Sequence, residues 1–204
     1  MTAVVPAHIA VNGVRYAVRS WGSESPLVLQ HGFTGSSALW TVHAKAWAAH
    51  WRVVAIDLLG HGASEVAIDA ARYAMAPTVA DVAGLLDALG IERCALLGYS
   101  LGGRVALAFA LEQPRRVAAL ILESASPGVA AADERAARAA ADEQLAARLE
   151  RDGISAFVEG WMAQPLFATQ ARLAASRRAA ARAQRLANSA AGLAASLRGL
   201  GTGA

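Results

Sequence analysis

The chain has 204 residues, a formal net charge of +3, 55% apolar and 17% charged residues, and one cysteine. That length can bury one sizeable core, the first half is too apolar and too mixed for a disordered segment, and a lone Cys94 excludes an internal disulfide framework and points to a reducing compartment. Alanine inflates the apolar share, and the single lysine, Lys45, against eighteen arginines marks a coding bias rather than a function.

Residues 1–6 lack the basic segment and long apolar core of a signal peptide, and the longest apolar runs, such as 117–122, are far too short to span a bilayer, so a cytoplasmic protein without a membrane span is expected. Residues 9–18 predict a strand pair turning at Asn12-Gly13, a dipeptide suited to a tight hairpin. The runs 27–30 and 53–56 predict short buried strands, with a helix over 37–50 between them. Thr78 has the pattern of a helix cap, followed by Val79, Val82, Leu85, Leu86 and Leu89 on one face before Gly90 ends the helix. A strand over 94–97, a helix over 103–111 and a strand over 117–122 follow. Apolar runs alternating with helices predict parallel strands covered on both faces, an α/β fold.

After Pro127 the strand signals stop. Alanine-rich helices are predicted over about 132–151, 153–163, 172–187 and 190–200, with a loop over 199–204. This predicts an α/β core over 1–127 and a helical cap over 128–204. The stretch 164–204 contains Arg172, Arg177, Arg178, Arg182, Arg185 and Arg198 and no carboxylate. Arginines diluted in alanine and without interleaved aromatics argue against nucleic acid, leaving a solvated helix face or an anionic substrate as readings.

Gly98-Tyr99-Ser100-Leu101-Gly102 joins the strand over 94–97 to the following helix. This strand–turn–helix placement of G-x-S-x-G is that of a nucleophile elbow, which lifts the Ser100 hydroxyl above a helix N-terminus. His31-Gly32-Phe33-Thr34-Gly35 ends the strand over 27–30, where such folds place a second oxyanion donor, so the Phe33 and Leu101 N–H groups are the candidate oxyanion hole. His31 is expected to organise its loop by hydrogen bonding, and Asp57 with His61 to brace the next one. A metal site at these three is disfavoured because no ligand pair has helical spacing. Cys94, in a buried strand, is expected to be inert. Arg104, one turn after Ser100, could clamp a carboxylate or pair on the helix surface, and Tyr99 shares that ambiguity. A serine hydroxyl needs a histidine to take its proton, yet His8, His31, His43, His50 and His61 all precede Ser100, and no carboxylate follows Glu159.

These elbow and loop motifs, with Asp57-Leu58-Leu59-Gly60-His61-Gly62, resemble the α/β-hydrolase superfamily. More narrowly, the chain resembles the 2-succinyl-6-hydroxy-2,4-cyclohexadiene-1-carboxylate synthases of menaquinone biosynthesis. That likeness rests on Tyr99-Ser100-Leu101-Gly102-Gly103-Arg104, Ser126-Pro127-Gly128 with Glu134-Arg135-Ala136-Ala137-Arg138, Trp161 with Gln164-Pro165-Leu166-Phe167, and Arg185-Leu186-Ala187-Asn188. The resemblance implies a mostly parallel sheet under a helical cap and a lyase that releases pyruvate from a small polycarboxylate, with no metal or organic cofactor. It implies Ser100 as histidine-activated base, Phe33 and Leu101 as oxyanion donors, and Tyr99, Arg104, Arg138, Trp161 and Arg185 around the substrate. In this superfamily the acid and histidine follow the cap, so the chain is expected to lack the last strand-helix units and to turn over little by itself, and its open sheet edge to favour aggregation. Glu123 stands where some relatives carry the acid. A serine hydrolase and a non-catalytic carboxylate-binding scaffold are the other readings, whereas a serine at the elbow argues against chemistries that use an aspartate there.

Overall fold

The computed structural model of the protein describes residues 5–204. Met1-Thr2-Ala3-Val4, on which the reading of the N-terminus partly rests, lies outside the described residues. Six strands, β1 (Ala7–Val11), β2 (Val14–Trp21), β3 (Pro26–Gln30), β4 (Arg52–Ile56), β5 (Cys94–Tyr99) and β6 (Val117–Glu123), form one sheet in the order β1-β2-β4-β3-β5-β6. β4, β3, β5 and β6 run parallel, while the β1–β2 hairpin joins β4 antiparallel. The hairpin turns at Asn12 and Gly13, both at positive φ (48° and 82°), the geometry that the Asn-Gly pair predicts.

The period-two alternation of strand side chains sorts the apolar residues onto two faces. Val28, Val54 and Leu96 join Val82, Leu86 and Phe109 of α2 (Met75–Ala88) and α3 (Leu101–Glu112) on one face. Leu27, Leu29, Val53 and Leu97 meet Trp40 and Ala44, at the start of α1 (Thr41–Trp47), on the other. Beyond β6 come α4 (Ala132–Met162), α5 (Ala175–Leu186) and α6 (Ala190–Leu200). α4 and α6 share their own apolar cluster, built on Leu149, Val158, Leu193 and Leu197 and reaching Phe33 of the sheet. β6 is the open edge, with Ile121 and Leu122 exposed.

Several predicted boundaries move. Thr78 is no cap, because α2 starts at Met75 with Pro77 in its first turn, where a missing N–H costs nothing, and Thr78 Oγ1 donates back to the Ala74 carbonyl at 2.8 Å. The helix predicted over 37–50 opens as a 3₁₀ turn, Ser37–Trp40, before α1. The break predicted between the helices over 132–151 and 153–163 falls at Gly153 (φ 78°, ψ 171°), where glycine tolerates a non-helical backbone, so α4 is two helical segments joined by a kink. Residues 165–172 form a 3₁₀ segment ahead of α5, and Gly199 and Leu200 belong to α6 rather than to a terminal loop. No helix among the described residues is long and apolar enough to cross a membrane.

Candidate active site

The strand order reverses at β3. The chain leaves β3 for β4 on one side, then crosses back to β5 on the other. Loops diverge at such a switch point and leave a crevice at the carboxyl ends of the strands, the usual ligand site of an open parallel sheet. The His31–Gly35 loop ends β3 and Ser100 ends β5, so both candidate motifs meet at this crevice.

Ser100 has φ 52° and ψ −113°, a region that L residues avoid and that persists only where its surroundings enforce it. Its N–H donates to the Glu123 carbonyl at 2.8 Å, and its own carbonyl accepts from the Arg104 N–H at 3.1 Å, closing the first turn of α3. Thr34 and Ser124, just beyond β3 and β6, also have positive φ (64° and 51°). Backbone strain is thus gathered around one crevice.

Ser100, Leu101, Phe33, Arg104, Arg138 and Trp161 all line a single cavity of about 670 Å³. Tyr99 and Arg185 open instead into a neighbouring cavity of about 490 Å³ that shares Phe33 and also takes in Glu123. The residues predicted around a substrate are therefore divided between two adjoining chambers. Phe33 stands between them, edge-on to Trp161 with ring centres 5.3 Å apart.

Arg104 is neither a surface residue nor a simple ion pair. Its Nη1 donates to the Leu200 carbonyl at 2.5 Å, and its Nε is buried without a partner among the described residues. Burial, and after it the positive charge of Arg138, press its pKa below the usual arginine range, against the pull of Asp142. Arg138 directs Nε at both carboxylate oxygens of Asp142, at 2.9 and 3.0 Å. Arg185 is likewise pushed down by burial and raised in part by Tyr99, and its guanidinium lies 5.4 Å from the centre of the Phe167 ring. Two other arginines of the acid-free stretch behave differently: Arg182 pairs with Glu159, and Arg198 with Glu143 and Glu150, all three carboxylates on α4, while Arg178 donates to the Ala171 and Leu173 carbonyls.

His31 and His61, buried near the crevice, bond to the loops that carry them, and His43 lines the adjoining chamber. The Leu58 N–H donates to His31 Nε2 at 3.0 Å, so the ring proton sits on Nδ1 and is given to the Gly32 carbonyl at 2.8 Å. His61 lies 5.0 Å from His31, ring to ring, with Nδ1 3.1 Å from the Leu59 carbonyl. Asp57 accepts N–H groups from Ser37 and from Ala63, the latter at 2.8 Å. All three brace loops, as expected. Among the described residues no histidine is hydrogen-bonded to Ser100. Cys94 is buried, which raises its thiol to about 11 and keeps it unreactive at neutral pH.

Burial holds His61 at about 3, far below its ordinary value of 6.5, and lowers His31 as well. A depressed histidine leaves stability intact above the unfolded pKa. Below pH 6.5 the unfolded chain takes up protons that the folded chain refuses, so His61 lowers stability toward pH 3 by up to about 1.4 kcal/mol per pH unit, and His31 adds in the same direction. Urea melts between pH 4 and 7 are expected to show this slope, and His61→Gln to flatten it. A slope unchanged in that variant contradicts the assignment.

Three contributions escaped the sequence reading. Asp142 fixes Arg138 and was legible as an i,i+4 pair on a helix. Asn188 was quoted only as part of a motif, yet it clasps both loops, donating to the Thr34 carbonyl at 2.9 Å and accepting from the Gly62 N–H at 2.8 Å. Ser196 lines the Ser100 cavity and is 1% exposed; nothing distinguishes a serine within an alanine-rich helix by sequence.

Comparison with known proteins bears on the same features. The sequence profile of the alpha/beta hydrolase fold matches residues 25–196. A Bacillus subtilis (strain 168) protein provisionally named 2-succinyl-6-hydroxy-2,4-cyclohexadiene-1-carboxylate synthase is 43% identical over 194 residues, covering 94% of this chain and 70% of that protein. The synthase of the same name from Serratia proteamaculans (strain 568) is 38% identical over 143 residues, covering 70% of this chain and 54% of its own length. Among solved structures, MenH from S. aureus superposes with a TM-score of 0.85 at 33% identity, covering 92% of this chain and 71% of that one.

Proposed function

This chain belongs to the alpha/beta-hydrolase fold family and, within it, to the 2-succinyl-6-hydroxy-2,4-cyclohexadiene-1-carboxylate synthases, and on that premise we propose that it carries the serine, oxyanion and carboxylate-binding parts of a cytoplasmic menaquinone-pathway lyase that eliminates pyruvate. The substrate is a cyclohexene carboxylate bearing a succinyl group and an enolpyruvyl ether. Helices α4–α6, within residues 128–204, act as the cap over the core of residues 1–127.

In this reading Ser100, itself deprotonated by a histidine, accepts the proton from the ring carbon beside the succinyl carbonyl. The released electron pair moves through the existing ring double bond to give the conjugated diene, the carbon–oxygen bond to the enolpyruvyl group breaks with its electron pair on oxygen, and that oxygen takes the proton held by the histidine, so that pyruvate departs as its enol. Negative charge grows on the succinyl oxygen, where the Phe33 and Leu101 N–H groups would receive it; preorganised donors of this kind do their work without rearranging during the reaction. Arg104 and Arg138 hold carboxylates on one side, and Tyr99 and Arg185 bind from the adjoining chamber, with Trp161 at the wall. The step needs no metal or organic cofactor.

The observation that carries the proposal is the pair Arg104 and Arg138 in the cavity of Ser100, with Arg104 pushed down by burial. Arg138 already has the Asp142 carboxylate, whereas the partly desolvated Arg104 guanidinium has no ion-pair partner among the described residues and is costly until an anion joins it, which favours a carboxylate-bearing substrate over the neutral ester of a general serine hydrolase. The test joins this chain to the part of the Bacillus relative that lies outside the aligned region. Pyruvate release, followed with lactate dehydrogenase, is expected from the chimera, at least about a thousandfold slower from the 204 residues alone, and abolished by Ser100→Ala. Fast p-nitrophenyl ester hydrolysis without pyruvate release would favour the hydrolase. Tight dicarboxylate binding with neither activity would favour a silent scaffold.

A further inference from the structure

Three buried side-chain atoms that lack a hydrogen-bond partner among the described residues, Arg104 Nε, Trp161 Nε1 and Ser196 Oγ, belong to residues lining the cavity of Ser100. Buried donors are nearly always satisfied, because leaving one unpaired forfeits its hydration for no return. Other unpartnered atoms, on Trp21, Gln30 and Trp40 among the described residues, lie away from this chamber, so the three count only because they share one cavity with the candidate nucleophile. Two of the three already have a place in the proposed function, and Ser196 has none.

Ser196 sits on α6, and Leu200 follows it by four residues, on the same helix face. Leu200 gives its carbonyl to Arg104 Nη1 at 2.5 Å, so the C-terminal end of α6, one turn beyond Ser196, is held against the guanidinium. A serine inside a helix ordinarily spends its hydroxyl on the carbonyl one turn back. Thr78 does so in α2, with Oγ1 donating to Ala74 at 2.8 Å, whereas Ser196 makes no such bond. Its hydroxyl is unspent, and the residue, 1% exposed, lines the same cavity as a cation that also has an unused N–H. An acceptor that takes both an O–H and a guanidinium N–H, and that brings negative charge to a chamber where Arg138 is paired with Asp142 and Arg104 is left unneutralised, is a carboxylate.

We propose that Ser196 Oγ donates a hydrogen bond to the same substrate carboxylate that Arg104 binds, which makes Ser196 a substrate-binding residue that selects for a carboxylate at that end of the cavity. This rests on the reading of the cavity as a polycarboxylate site. It also explains why a buried hydroxyl is kept on a helix of small and apolar residues, where alanine would be better satisfied.

The experiment titrates the 204-residue chain calorimetrically with 2-succinylbenzoate, which carries the succinyl and ring carboxylates of the product on a flat ring. Binding by the unaltered chain and its loss in Arg104→Ala test the polycarboxylate reading itself; failure of either overturns that reading and Ser196 with it. Given both, Ser196→Ala and Ser196→Cys are each expected to bind about tenfold more weakly, the effect of losing a hydrogen bond to a charged group. Their ligand-free thermal midpoints are expected to equal or exceed that of the unaltered chain, because an unsatisfied hydroxyl has been removed. Affinity within twofold of the unaltered chain in both variants overturns the role of Ser196 while leaving the polycarboxylate site standing. A loss confined to Ser196→Ala, with Ser196→Cys binding normally, would be a packing effect and would overturn it too.

Discussion

Arg104→Ala is expected to weaken 2-succinylbenzoate binding by about a hundredfold or more, the cost of removing a partly buried, charge-assisted pair of hydrogen bonds. The magnitude follows from what surrounds the guanidinium. Its Nη1 is fixed on the Leu200 carbonyl and its Nε waits without a partner among the described residues, so it is already oriented before the ligand arrives. Arg138 repels it and Asp142 only partly compensates, so an incoming carboxylate relieves a strain that already exists. Arg104→Lys keeps the charge but loses the planar fork, and is expected to recover only a small part of the affinity. Wild-type affinity in Arg104→Ala, measured by calorimetry, would remove Arg104 from the site. The same variant releases one tether of α6, so a modest drop in thermal midpoint should accompany the binding loss without accounting for it.

Gly102→Ala is expected to destabilise the fold by about 3 kcal/mol, at the upper end of the cost of overpacking a dense interior. A methyl group at position 102 would lie 2.5 Å from the Gln30 carbonyl oxygen and 2.6 Å from that of His31. Both obstacles are backbone of β3 and its loop, and neither can swing aside as a side chain could. Opposing gains exist: alanine is better than glycine in a helix by about 1 kcal/mol, and it narrows the unfolded ensemble by about 0.4–1 kcal/mol. The collision prevails because β3 would have to separate from α3. The damage would also fall on function, since the same shift moves Phe33 away from Ser100. A urea melt showing Gly102→Ala as stable as the unaltered chain would mean that the elbow and the β3 loop are not in contact.

That collision is also why the site was so legible. The second glycine of G-x-S-x-G is present because one backbone passes another there, so the motif reports tertiary structure as well as local turn chemistry. His31, Asp57 and His61 were readable as loop braces for a similar reason: short polar side chains among glycines at strand ends have backbone groups to satisfy. The strands were legible from apolar runs, and the two faces of the sheet follow from their alternation. Less could be read beyond Pro127, where alanine-rich helices carry little periodicity to fix boundaries, so the 3₁₀ segment at 165–172 was missed, although the break at Gly153 was legible from the glycine itself. Sequence also placed Tyr99 and Arg185 around one substrate but could not tell that Phe33 and Trp161 would part them from Arg104 and Arg138. Which helical arginines face a chamber and which meet carboxylates of α4 is decided by how α4, α5 and α6 pack, and spacing along one helix does not reveal it.

The most direct test of the central claim, a strained serine facing two backbone donors across a carboxylate-binding cavity, is a crystal structure of the 204-residue chain soaked with 2-succinylbenzoate. The account predicts one carboxylate on Arg104 and the succinyl carbonyl oxygen within hydrogen-bond reach of the Phe33 and Leu101 nitrogens, with the Ser100 hydroxyl beside the ring. A ligand bound away from Arg104, or a carbonyl oxygen directed away from those two nitrogens, would contradict it.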